Sequence, residues 1–484
     1  MNGITPSPTT RRCRRWLWCL ALAISLLAGL LVAIGLFYRQ DEPPPNDADL
    51  QVHGSSVSAS ENNLAQIRKL PKKQLSFDSF DSSDGFAEAH GVTDYDTITQ
   101  IENGVARNDT LVDAFLAQAQ PAFIRLDAFL ALPKFENVGE VSFWSQMFLG
   151  VPQVALTADQ ALRIEVIRSR QKDDFATATE AALRLRLLAL RLTEGFAFGY
   201  PGQEIYEHST TYARDLLNEP ALPVSQQNAL AHAYIANEPA TAALQRGFMI
   251  DYQFDLSIFQ DDLLMFEGWM YDGLSSAHGG RPISVLGKLE AHWLDYTFKP
   301  NTTRRQLADY YRELRQALNG PYSSINIAAL TAERHAFETR EPRLDSTPTA
   351  RVTWLLTPNA GGCSMLNQML PKPTELSFPY RDIADDRLLR IGFALRTYYN
   401  DHGTLPPALT ALVPQYLAVI PADPFNDQPL CYDPARGLVY SVGTALKDNH
   451  GSRFLTMPVS DPNYRDPLLD DAQPTLALAF QNQK

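Results

Sequence analysis

A chain of 484 residues, 45% hydrophobic and 20% charged, can bury a substantial core and is long enough for two or more folded units. Its first 38 residues hold four arginines and no acid, which leaves 38 basic against 55 acidic residues downstream. That acidic balance excludes a nucleic-acid partner for the bulk of the chain.

The first predicted element follows a basic stub, residues 1–15, with Arg11, Arg12, Arg14 and Arg15. Residues 16–38 are 23 in a row without a charge. A helix rising about 1.5 Å per residue would cross a hydrocarbon layer of roughly 30 Å with that length. Arg39 is followed by Asp41 and Glu42, so the basic bias puts the N-terminus in the cytoplasm. The expected location is the inner (cytoplasmic) membrane, crossed once, with the rest of the chain periplasmic. The apolar stretch exceeds a typical signal-peptide core, and no small-x-small cleavage site precedes Pro43-Pro44-Pro45, so an anchor is favoured over a cleaved signal.

Residues 39–108 are rich in Pro, Asp, Ser and Asn and read as a flexible tether, with Lys69, Lys72 and Lys73 as solvated surface. Residues 109–340 turn helical. Leu111, Phe115, Leu116 and Ala119 open one amphipathic run, and Thr157 is placed to cap the helix that carries Leu162, Ile164, Val166 and Ile167. From Phe175 to Thr193 a broad face of Ala178, Ala181, Ala182, Leu185, Leu188, Ala189 and Leu192 is expected inside, with Arg184, Arg186 and Arg191 off it. Further runs cover 204–217, 225–236, 239–259, 263–274, 287–298 and 303–318, the last stopped by Asn319-Gly320-Pro321. Short loops between such helices predict an α-helical array or bundle.

Residues 341–382, with six prolines and Gly361-Gly362, read as a connector with one short strand at 350–356. A small α+β module is expected over 383–459. Its helix places Leu388, Ile391, Leu395 and Tyr398 on one face, puts Asp385 and Asp386 at the positive N-terminal end, and stops at Asn400 to Gly403. Two strand-like pieces, at 430–432 and 438–442, must pack on that helix because a lone hairpin is marginal. The tail, 460–484, reads as loosely ordered. The fold class is therefore mainly α: one transmembrane helix, a helical array and a small C-terminal α+β module.

That module resembles the periplasmic part of type II secretion pseudopilins. The residues that carry the likeness are Tyr399-Asn400-Asp401-His402-Gly403-Thr404-Leu405-Pro406, the Leu409 and Leu412 turn, Tyr416 through Asn426 with its Ile420-Pro421-Ala422-Asp423-Pro424-Phe425 core, Pro429-Leu430-Cys431-Tyr432, and Tyr440-Ser441-Val442-Gly443. Family members also carry a peptidase site and a Glu used in filament assembly at the start of the membrane helix. Here that helix holds no acid, and 344 residues, 39–382, separate it from the module. The resemblance implies a secretion or pilus-like setting and not a filament subunit. It also implies calcium in the loop after the last strand, where Asp448 and Asn449 are the side-chain ligands present; an ordinary polar turn is the alternative.

Of the four cysteines, Cys13 and Cys19 lie at or in the anchor. Cys363 and Cys431 remain as a possible disulfide in an oxidising compartment or as two buried thiols, and no spacing rule decides.

No Gly-x-Ser-x-Gly, His-Glu-x-x-His, Cys-x-x-Cys, Walker or Gly-x-Gly-x-x-Gly string occurs, so His278-Gly279-Gly280 stands alone as loop punctuation. The densest acidic and aromatic patch, 251–272, holds Asp255, Asp261, Asp262, Glu267, Trp269 and Tyr271. Two of its carboxylates could serve glycan hydrolysis, although acids outside and aromatics inside is the expected arrangement. His292 and Asp295, one turn apart, read as a surface pair. The sequence points to a non-enzymatic, single-pass envelope protein with protein partners, an interaction or scaffold module; the alternative is an envelope glycan or peptide hydrolase that uses the 251–272 patch.

Overall fold

The computed structural model describes residues 25–26, 29, 35–51, 70, 109–132, 151–195, 202–236, 241–261, 292–338, 347, 349, 352–353, 356–451 and 474–478. Most of 16–38, nearly all of the tether beyond Gln51, the Lys69, Lys72 and Lys73 cluster, 262–272, His278-Gly279-Gly280 and most of the tail lie outside them. The described chain is mainly helical, with ten α-helices and one small sheet among the described residues. It divides into two compact units: a smaller one of 1–47, 258–309 and 332–370, and a larger one of 48–257, 310–331 and 371–484.

In the larger unit the array begins with α1 (Asp109–Leu130), α2 (Val151–Gln171), α3 (Phe175–Gly195), α4 (Gly202–Asn218) and α5 (Val224–Ala236). The α2 helix starts six residues before Thr157, which lies buried inside the helix rather than at its N-cap. Pro152 suits its first turn, where a missing N–H costs no hydrogen bond. Asp174 caps α3 by accepting from the Thr177 N–H and hydroxyl. The expected Ala/Leu face of α3 is buried, but so are Arg184 and Arg186, because helices pack on more than one side of it. The α3 helix lies against α2 and α4, and α1 closes over α2 and α3.

Three further helices follow: α6 (Thr241–Asp261), α7 (Pro300–Ala317) and α8 (Ile327–Glu338). Among its described residues, the stretch expected to be a connector is largely helical instead. Leu356 N–H donates to the Val352 carbonyl where a strand was expected, and α9 (Ala360–Met369) takes up the Gly-Gly pair.

Helix α10 (Ser377–His402) is the centre of the larger unit. It begins eight residues ahead of Asp385, so Asp385 and Asp386 sit mid-helix and do not face its N-terminal dipole. Leu388, Ile391 and Leu395 are buried as expected, yet Leu389, Gly392, Phe393 and Ala394 are buried too. The helix is covered on two sides, by α4 and α5 on one and by the sheet on the other. Gly392 allows this: a Cβ there would come within 2.5 Å of Leu476 and 2.7 Å of Leu217. The Gly403 residue, left-handed at φ 72°, ends the helix and donates its N–H to the Tyr399 carbonyl.

The sheet is an antiparallel meander of β1 (Cys431–Asp433), β2 (Leu438–Tyr440) and β3 (Thr475–Ala477). Tyr432 pairs with Val439, and Val439 with Leu476. The third strand comes from the tail that composition marked as loosely ordered; Leu476 is fully buried in the core shared with α10. The loop before β1 is fixed by the buried Asp423, which accepts from the N–H groups of Phe425 and Val442 and from the Ser441 hydroxyl.

Candidate functional site

The start of the supposed tether is held down. In the smaller unit Asp41 caps α7, accepting from the backbone N–H of Asn301 at 2.7 Å and Thr302 at 3.0 Å and from the Thr302 hydroxyl at 2.8 Å. Burial raises this carboxyl's proton affinity, but the bonds from Asn301, Thr302 and Glu42 outweigh it and hold the pKa below the ordinary value. Glu42 pairs with Arg305, and Asp47 takes both arms of the Arg304 guanidinium at 2.7 Å. In the larger unit Asp49 pairs with Arg312 and Arg315, and the Arg312 hydrogen bond chiefly pulls its pKa down. The physical reason is charge matching between four acids in nine residues and the arginine face of α7.

A cavity of about 300 Å³ opens in the smaller unit between this capped end and the start of α9. Asn359, left-handed at φ 58°, joins its walls: Oδ1 accepts from the Lys299 N–H and Nδ2 donates to the Thr303 hydroxyl. Gly362 is required there, since a Cβ would meet Thr303 Oγ1 at 2.1 Å. Cys363 is buried on the wall, and Gln306 Oε1 is buried and accepts no hydrogen bond. Both Asp41 oxygens accept from the first turn of α7, so this carboxylate of the cavity wall serves as a structural cap. The arrangement can hold a small polar group; it does not assemble a nucleophile with a base.

The titratable groups most displaced from their ordinary values lie in the interior of the larger unit. Arg186 and Asp386 form an ion pair across 200 positions of sequence with almost no exposure, and the guanidinium sits 4.8 Å from the Tyr206 ring centre and 4.6 Å from that of Tyr234. Burial pushes Asp386 up to about 6 against the pull of Arg186. Glu165 is buried under Arg184 at 3.4 Å and Gln120 at 2.6 Å, and burial takes it to about 7. Arg184 also forks onto Asp127 at 2.8 Å. Asp255 is buried, accepts from the Tyr311 hydroxyl at 2.7 Å and is likewise driven to about 7 by burial. For Asp255 this reverses the expectation that acids of the 251–272 patch lie outside. Asp262, Glu267, Trp269 and Tyr271 lie outside the described residues.

The remaining residues singled out by sequence have ordinary surroundings. Asp448 and Asn449 are exposed; Asp448 Oδ1 accepts from the Tyr440 hydroxyl and the His450 N–H. Among the described residues no three His, Cys, Asp or Glu side chains gather as they would around a metal ion. Cys363 and Cys431 are both free thiols. His292 is exposed and Asp295 half-buried. Sequence reasoning missed His208 and Asp159, whose imidazole Nδ1 and carboxylate meet at 2.9 Å between α4 and α2, and the Asp41 cap. The acids at 41, 42, 47 and 49 facing an Arg-rich helix were the available signal for the latter.

Compared with protein-family models, with curated proteins and with solved structures, the chain matches none. Among the described residues no helix is long and apolar enough to cross a membrane.

Proposed function

We propose that this chain is a single-pass envelope protein of the inner membrane, anchored by 16–38 with its N-terminus cytoplasmic, whose external helical part is a scaffold for protein partners in a secretion or pilus-like assembly. The observation that supports a scaffold is the fate of the displaced carboxyls. Glu165, Asp255 and Asp386 are all buried, and each is engaged by an arginine or tyrosine of a neighbouring helix. Groups so enclosed brace helices against one another.

The secretion setting rests on the pseudopilin-like residues of 383–459. The body would meet a partner through the exposed loop after the Leu409–Leu412 turn, where Val419 is 71% exposed, and near Leu446, 39% exposed. A photocrosslinking residue at Val419 of the full chain in its membrane tests this. Discrete protein adducts that disappear with Leu446→Asp are expected. Adducts to lipid alone, or no adduct at all, would overturn the scaffold reading.

A further inference from the structure

We propose that one face of the smaller unit is seated in the headgroup region of a phospholipid bilayer, beside the anchor; this rests on the reading of 16–38 as membrane-crossing. Residues 35–39 are helical and close the uncharged stretch, with Leu36 63% and Phe37 61% exposed. A second helical turn, 292–296, packs beside them. Gly35 lies against Tyr296, close enough that a Cβ there would stand 3.4 Å from the Tyr296 hydroxyl, an ordinary van der Waals contact. The Tyr38 ring meets Trp293 at 5.8 Å, and Trp293 meets Tyr296 at 6.1 Å. Rings of this type, apolar in body and polar at one edge, collect where a bilayer meets water.

Two cations lie at the same level. Arg39 is 5.7 Å from the Tyr296 ring centre and Lys299 Nζ is 5.8 Å from that of Phe37. They are positioned to meet lipid phosphates while their stems follow the apolar rings. The Tyr38 hydroxyl donates to the Leu356 carbonyl, which brings in Val352 and Leu356, one helical turn apart and both more than half exposed. Of the twelve large hydrophobic residues exposed among the described residues, six (Leu26, Leu36, Phe37, Tyr296, Val352 and Leu356) belong to this unit. An apolar face of that composition, rimmed by cations and continuous with an uncharged 23-residue stretch, fits a lipid interface rather than water.

The test is tryptophan quenching by brominated lipid in nanodiscs holding the full chain, with Trp293 as the only tryptophan and the other five changed to Phe. Bromine near the headgroup end of the acyl chain should quench Trp293 about twofold more than bromine near the terminal methyl, as for an interfacial ring. A matched chain keeping only Trp18 reports the anchor itself. Trp18 quenched and Trp293 untouched would overturn this inference and leave the anchor standing; neither quenched would overturn both. Because five substitutions can disturb folding, a second measurement keeps all six tryptophans. A nitrobenzoxadiazole label on Val352→Cys should emit at shorter wavelength than one on Val419→Cys in the same nanodiscs, and equal emission would refute the seating.

Discussion

The Arg186–Asp386 pair supports a prediction that follows from the different protonation chemistry of its members. Both side chains are essentially unexposed, at 1% and 0%. Removing one partner of a buried pair strands a charge at a cost of about 3–5 kcal/mol, whereas replacing both by apolar residues of similar volume is about neutral or stabilising. Asp386→Leu leaves a guanidinium that stays charged at any accessible pH, so the full penalty should appear at pH 5 and at pH 8 alike. Arg186→Met leaves a carboxyl that escapes by taking up a proton, and its pKa is already near 6 with the arginine present. Its penalty should therefore be small at pH 5 and grow toward pH 8. The double variant should lie within about 1 kcal/mol of the parent or above it, a coupling energy of about 3 kcal/mol or more. Pulse proteolysis across a urea series on the full chain in detergent reads all four corners of the cycle. Additive losses, or an Asp386→Leu loss below about 1 kcal/mol, would refute the idea that this pair fixes α10 against α3.

Three further outcomes are expected. Glu165 binds its proton up to about pH 7 when folded but only to 4.5 when unfolded, so stability falls as pH rises through that window, by roughly 3 kcal/mol in full. Glu165→Gln should flatten that slope in urea melts at pH 5 and 8, and parallel profiles would contradict it. Leu395→Asp puts a carboxylate where exposure is 0% and should cost more than about 4 kcal/mol; a protease-resistant 383–459 in that variant would sink the packing described for α10. Asp41→Ala should remove about 1 kcal/mol at neutral pH as the α7 cap is lost. The parent should lose the same increment as pH falls through the range below 3.8, because the folded pKa is depressed. Thermal melts at pH 7 and pH 3 compare the two, and an equal deficit at both would count against the cap.

What could be read from the sequence was local. Seven apolar positions of α3 and the Leu388, Ile391 and Leu395 face of α10 follow from helical spacing, and the Gly403 stop follows from its left-handed φ. Partners distant in sequence were not legible. A period of three and four marks one apolar face but cannot say that a second layer covers the other, which is why Arg184 and Arg186 were expected off the buried face of α3. The start of α10 is not legible because Pro379 suits a connector and a first helical turn equally well. Strand β3 is three residues long in a Pro/Asp-rich tail, and nothing but its pairing with β2 makes it a strand. In the smaller unit, the cavity draws its walls from residues near 41, 302 and 359, a juxtaposition no local pattern encodes.

The most direct test of the account is alkaline carbonate extraction of membranes that contain the full chain, set beside a variant with Leu26→Glu and Leu30→Glu in the uncharged stretch. The parent should stay in the membrane pellet, with the chain beyond Arg39 cut only by protease added from the periplasmic side, and the variant should be released. A parent chain that washes into the supernatant, or that is cut beyond Arg39 by protease on the cytoplasmic side instead, would contradict the anchored topology.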